Sequence, residues 1–144
     1  LGDVHKRQGL VELLDLSATI LDVAGVEIPE YHQGKSLRRF LEGEEDGSKI
    51  REFARCEYFD ALDAHFTGGT GTFATMYRTD RYKLSAYHDH GLGELYDLEK
   101  DPWEFENLWD DPDSVEAKNE LIWKSFNAHV NLTTDVGSKR IAPM

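Results

Sequence analysis

The chain has 144 residues, 28 of them Asp or Glu and 16 Lys or Arg, for a formal charge of −12. That length suits one domain with a real core, and so acidic a surface gains nothing from counterion release, which argues against nucleic acid or an anionic membrane as a general partner. A single cysteine, Cys56, excludes an internal disulfide framework and every multi-cysteine metal site, and no apolar run approaches the length of a membrane span.

The start, "LGDVHKRQGL", has neither a signal-peptide core nor an initiator methionine, so the chain is expected to be a fragment. The apolar run Leu10 to Leu14 fits a short buried strand, or else the first helical turns, and the strand is the favoured reading. A helix then starts at Asp15 or Ser17, whose oxygens accept from free amides, and ends at Gly25. Leu16, Ile20, Val23 and Ala24 share one of its faces. A loop leads to a short amphipathic turn through Leu37, Phe40 and Leu41, and an acidic, glycine-bearing linker follows from Gly43 to Ser48.

From Arg51 the pattern turns strand-like in "REFARCEYF", "GTFATMYRTD", "RYKLSAY" and "GELYDL", rich in aromatic and β-branched residues. Thr79 to Arg81 and His88 to Gly93 are tight-turn candidates, and such short connections require antiparallel neighbours. Asp111, Pro112 and Asp113 have the order of an N-cap, a first helical residue and an acid that complements the dipole. The helix they start is expected to run to about His129 or Asn131, with Val115, Ile122, Phe126 and Trp123 towards the sheet. The fold class is therefore α+β, with a roughly four-stranded antiparallel sheet, a long C-terminal helix packed on one face, and a strand/helix segment before them.

Several motifs invite chemistry. Asp97, Glu99 and Asp101 alternate as an EF-hand calcium loop begins, but the sixth position is Pro102 where that loop needs glycine and the twelfth is Leu108 where it needs glutamate. The same stretch makes better sense as a half-buried strand followed by an Asp101-Pro102 type I turn, with Glu104 and Asn107 as acceptors for freed amides. "GGTGT" at Gly68 to Thr72 lacks the lysine and helix start of a P-loop and suits a loop before a strand. His88 and His90 lie two apart in a turn, with His65 in another loop, and spacing places no third ligand beside the pair, so solvated turn residues are the default. Cys56 is expected mid-strand, as a small buried hydrophobe. "NLT" at Asn131 to Thr133 matches a glycosylation acceptor, a pattern too short to carry weight.

Taken together, "LVELLDLSATILDVAGVEIPEYHQGKSL", "MYRTDRYKLSAY" and "GELYDLEKDPWEFENL" resemble the C-terminal region of a type I sulfatase. Relatives carry D-L-x-P-T-[LI]-L-D-L-A-G, a P…G-x-S-L loop, R-T-x-x-[YW]-K and E-L-Y-D-L-x-x-D-P-x-E-x-x-N-L. These fall here on Asp15 to Gly25, Pro29 to Leu37, Arg78 to Lys83 and Glu94 to Leu108, with Ala18 where proline is common. The resemblance implies an alkaline-phosphatase-like parent enzyme that hydrolyses sulfate esters with a formylglycine, made from a C/S-x-P-x-R motif, and a divalent cation, usually calcium.

Neither piece is expected in this chain, because Glu57, Tyr58 and Phe59 follow Cys56 and the metal ligands of relatives lie upstream. No catalytic or metal-binding residue is therefore assigned. Residues 1–43 are expected to be the end of the catalytic domain and 44–144 the C-terminal subdomain. Its partners would be the remainder of that domain and a sulfated small molecule or carbohydrate, with substrate-binding candidates His65, Thr67 and Thr70 in one loop and His88 and His90 in another. Apolar Leu10, Val11, Leu13 and Leu14 would be exposed and would favour a homo-oligomer. The alternatives are the tail of a phosphonate or phosphate monoester hydrolase, and a non-catalytic carbohydrate- or protein-binding module.

Overall fold

In the computed structural model, residues 9–43, 50–60 and 71–134 are described. The elements are α1 (Leu13–Val23), α2 (Arg38–Leu41), β1 (Ala54–Phe59), β2 (Phe73–Arg78), β3 (Tyr82–Tyr87), β4 (Leu92–Asp97) and α3 (Val115–Thr134), the last entered through a single 3-10 turn, Pro112–Ser114. They fall into two compact units, one made of residues up to 51 and from 127 onward, the other of 52–126.

In the first unit, α1 starts earlier than its polar residues suggest. Glu12 is the N-cap, and its amide donates to Asp15 Oδ2 at 2.8 Å, which satisfies a donor freed at the helix start. Leu10 to Glu12 form no strand, and Leu13 and Leu14 are helical, which corrects the expected order of strand then helix. A reciprocal cap can open a helix inside an apolar run, so that run did not mark a strand. Gly25 ends α1 with φ 70°, the left-handed residue expected there.

The buried face of α1 is polar. Asp15 and Ala18 are fully buried and Thr19 nearly so, whereas Leu13 is 84% exposed and Leu16, Ile20 and Val23 are exposed with it. Asp15, Thr19 and Asp22, at i, i+4 and i+7, form a ladder that holds the returning loop. Asp15 Oδ1 accepts from the Lys35 amide at 2.7 Å, Thr19 Oγ1 from the Leu37 amide at 2.9 Å, and Asp22 Oδ2 from Ser36 Oγ at 2.5 Å. Arg51 ion-pairs with Asp15 and, at 2.6 Å, with Glu12. Gly34 fits only without a side chain, since a Cβ there would sit 2.3 Å from Leu14 O.

In the second unit, β1 to β4 pair antiparallel in sequence order. Tyr77 lies opposite Arg55 on one side and Leu84 on the other, and Leu84 lies opposite Leu95. Tyr77, Leu84 and Leu95 are the buried centre of one sheet face, and Phe53 stacks on Tyr77 at 4.9 Å. The expected turn at 79–81 forms, with the Thr79 amide donating to Tyr82 O at 2.8 Å.

After β4 the chain turns at Asp101-Pro102 and comes back along the sheet edge. Asn107 Oδ1 accepts from the Leu95 amide at 3.0 Å, Asn107 Nδ2 donates to Gly93 O at 3.1 Å, and the Leu108 amide donates to Leu95 O at 2.8 Å. A strand edge that would otherwise expose its donors and acceptors is thereby covered. Asp111 caps the next helix as expected, accepting from the Asp113 amide and from Ser114 Oγ.

The face that α3 turns inward is not the expected one. Leu121 is buried at 4% exposure, while Trp123 is 64% exposed and Val115, Ile122 and Phe126 are exposed too. Ala117 lies near Tyr82 and Asp97, and Lys124 near Tyr77. Ala117, Leu121 and Lys124 thus mark the side of α3 nearest the sheet, and the large aromatics stay outside.

Candidate functional site

Antiparallel pairing puts the segment between β1 and β2 and the turn between β3 and β4 at the same end of the sheet. Phe59 ends β1 opposite Phe73 at the start of β2, and Tyr87 ends β3 opposite Leu92 at the start of β4. Asp60, with φ 43°, closes the base of the first connection: its amide donates to Thr72 O at 3.0 Å and its Oδ1 accepts from the Gly71 amide at 3.1 Å. Aspartate suits this position because its short side chain tolerates left-handed backbone and bonds locally.

The second connection reaches the first. His90 Nε2 donates to Gly71 O at 3.3 Å, since a carbonyl only accepts. The His88 amide donates to Phe73 O at 2.7 Å, and His88 Nε2 lies 3.0 Å from Thr75 Oγ1. Asp89 and Gly91 take left-handed φ of 64° to make the turn. His88 and His90 therefore share one end of the sheet with the base of the 61–70 connection. His65, Thr67 and Thr70 lie outside the described residues.

Sequence reasoning passed over the two rings beside these histidines. Phe59 is 49% and Phe73 42% exposed, with ring centroids 6.3 Å apart. Both are strand residues, and as β-formers they carry no separate signal. The signal available was their place, where two strands meet a polar glycine-rich connection.

Elsewhere, chemistry-bearing groups are engaged structurally. His32 Nδ1 accepts from the Gly34 amide at 3.0 Å, so its proton sits on Nε2, which lies 2.9 Å from Ser17 Oγ. A histidine in that tautomer cannot take the serine proton, and Ser17 instead donates to Leu14 O, so the pair is no nucleophile and base. Cys56 is exposed in β1 opposite Met76, which corrects its expected burial. Mid-strand positions on an uncovered sheet face stay open to solvent. Among the described residues, no group of three or more His, Cys, Asp or Glu could hold a metal ion.

The acidic run after β4 is likewise committed. Asp97 is buried and accepts from Arg81 Nη2 at 2.8 Å, and the guanidinium holds its carboxyl below the usual carboxylate range. Asp101 Oδ2 accepts from the Glu106 amide at 2.8 Å, and Lys83 Nζ reaches Glu104 Oε2 at 2.5 Å. A cavity of about 360 Å³ beside these residues is lined by five carboxylates, Asp97, Asp101, Glu106, Asp111 and Asp113, against one cation, Lys100, a balance that disfavours an anion.

Comparison with known proteins agrees with the motif pattern. The family model described as N-sulphoglucosamine sulphohydrolase, C-terminal, matches residues 2–130. A Delta 4,5-hexuronate-2-O-sulfatase of Bacteroides thetaiotaomicron is 36% identical over 99 residues, 69% of this chain and 19% of that protein. The solved structure of BT4656 in complex with its substrate D-glucosamine-2-N,6-O-disulfate has a TM-score of 0.64 at 28% identity, over 88% of this chain and 25% of that one. The phosphonate monoester hydrolase SpPMH from Silicibacter pomeroyi has a TM-score of 0.67 at 27% identity, over 84% and 25%. The chain thus spans about a fifth of the length of the curated relative it matches and a quarter of these solved chains.

Proposed function

The chain belongs to the N-sulphoglucosamine sulphohydrolase C-terminal family, and from that membership we propose that it is the C-terminal part of an enzyme that hydrolyses sulfate esters of carbohydrates. The observation that carries the reading is the continuous family match over residues 2–130. Its motif residues hold the fold together: Asp15 and Thr19 pin the G-x-S-L loop, Lys83 pairs with Glu104, and Asn107 covers β4. On this reading residues 1–43 end the catalytic domain, and 44–144 are the subdomain that follows the acidic linker.

The parent would use formylglycine and a divalent cation, calcium, to form the nucleophile and offset charge on the transferring group. The residues of this chain do not fit that role. Cys56 is followed by Glu57, Tyr58 and Phe59 and is paired in a strand ladder, so it offers neither the motif nor the freedom for a nucleophile. The contribution left is substrate selection at the end of the sheet, through His88 and His90 and the loop of His65, Thr67 and Thr70.

The test is made in the intact enzyme that carries this chain, assayed on oligosaccharides that carry D-glucosamine-2-N,6-O-disulfate as their sulfated end. His65→Ala and His88→Ala raise KM with kcat little changed, the mark of lost ground-state binding; unchanged kinetics in both variants overturn the selection role. The 144-residue chain alone gives no turnover. The likeness to SpPMH supports a second reading, a phosphonate or phosphate monoester hydrolase, which a preference of the intact enzyme for phosphonate over sulfate monoesters would establish.

A further inference from the structure

At the selecting end of the sheet, Phe59, Phe73 and His88 form a row across three adjacent strands. Phe59 faces Phe73 in the ladder, and the His88 amide bonds Phe73 O directly beyond the last pair of β2 and β3. Side chains alternate along a strand, so this row lies on the same face as Tyr77 and Leu84. There the centre is covered, with Leu121 buried and Trp109 against Gly93, whereas Phe59 and Phe73 are about half exposed. Two large rings about half exposed, bordered by a histidine and the Thr75 hydroxyl, combine an apolar floor with a few polar groups, the make-up of a ligand-binding surface.

We propose that Phe59 and Phe73 form a platform on which a sugar ring adjoining the sulfated one stacks, with His88 and Thr75 bonding its hydroxyls. This deepens, and rests on, the sulfatase reading above. The ring is an unsulfated one. Arg55 and Glu57, four and two residues from Phe59 on the same face, are ion-paired with each other, so the guanidinium beside the platform is already engaged by a carboxylate rather than offered to a sulfate, and the apolar face of a neutral pyranose is what the rings are left to stack.

The test uses a disaccharide of D-glucosamine-2-N,6-O-disulfate linked to an unsulfated hexose, beside the sulfated monosaccharide. In the intact enzyme, Phe59→Ala and Phe73→Ala raise KM for the disaccharide by about tenfold and leave the monosaccharide unchanged. Phe59→Tyr and Phe73→Tyr, which keep the ring face, restore it. Equal effects on both sugars, or none, overturn the platform.

Binding is read separately by NMR on the 144-residue chain with isotope-labelled phenylalanine. The disaccharide at millimolar concentration shifts the Phe59 and Phe73 ring signals, and Phe73→Leu, which keeps apolar bulk, abolishes the response at Phe59. Absence of ring shifts in the parent sequence overturns the platform whatever the kinetics. If the rings shift but the intact enzyme hydrolyses neither sugar, the sulfatase reading falls and the platform stands.

Discussion

Gly93 shows what a single position can demand. A Cβ built there would lie 2.3 Å from the Trp109 ring, and Lys118 Nζ sits 4.9 Å from the centre of that ring. Gly93→Ala must push the indole off the sheet, and overpacking of this kind costs about 1–3 kcal/mol. A lower denaturant midpoint with an unchanged slope, together with a changed tryptophan near-UV signal, is the expected outcome. Asp97 offers a second residue-scale prediction. Its carboxyl is held low by Arg81 in the fold, so it contributes stability that is complete above the ordinary aspartate range, near pH 4, and is lost as pH falls through the folded value. Asp97→Asn should flatten that acid limb of the pH-stability curve, which a series of thermal melts from neutral to acid pH would read. The alternation of "GELYDL" and the Asp101-Pro102 turn were legible in the sequence because local geometry decides them. The need for glycine at 93 was not, since it depends on a tryptophan sixteen residues away in the chain.

At the scale of elements, α3 starts where its cap puts it but turns a different face inward, and α1 starts at Glu12, ahead of the expected Asp15 or Ser17. An apolar stripe points inward only when the interior offers apolar surface. For α1 the neighbouring loop offers backbone amides instead, so Asp15, Thr19 and Asp22 turn towards it and Leu13, Leu16, Ile20 and Val23 turn away. The Asp15 rung is the critical one. Its carboxylate is fully buried against Arg51, which is itself only 8% exposed and whose Nε has no partner. Asp15→Ala leaves a buried guanidinium with one carboxylate fewer, and breaking such a pair costs about 3–5 kcal/mol. Asp22→Ala, at a more exposed rung, should cost far less, and comparing the two by chemical denaturation separates the ladder from general loss of charge. The sheet edge gives a parallel case. Asn107→Ala removes the cover of β4 and leaves the Leu95 amide unpaired, costing about 1–3 kcal/mol, with faster aggregation on heating as its visible sign.

For the whole molecule, the strand order, the antiparallel pairing and the long last helix were legible because turns and period-two patterns are local. The meeting of His88 and His90 with the base of the 61–70 connection was not written locally, and the part played by Phe59 and Phe73 was hidden by their value as strand formers. The exposed stripe of α1 draws these scales together. Four apolar side chains at positions 13, 16, 20 and 23 lie in water on one helix face, in a chain that spans about a fifth of its relative's length. Burying such a face gains about 25 cal/mol for each Å² removed from water, so two copies of the isolated chain have a reason to pair through it. Sedimentation velocity should show concentration-dependent association of the 144-residue chain. Leu13→Asp combined with Ile20→Asp should return it to a monomer with the same far-UV spectrum, because neither residue takes part in the polar ladder. Association that persists in the double variant would move the interface elsewhere, with the exposed Trp123 and Phe126 pair on α3 as the next surface to change.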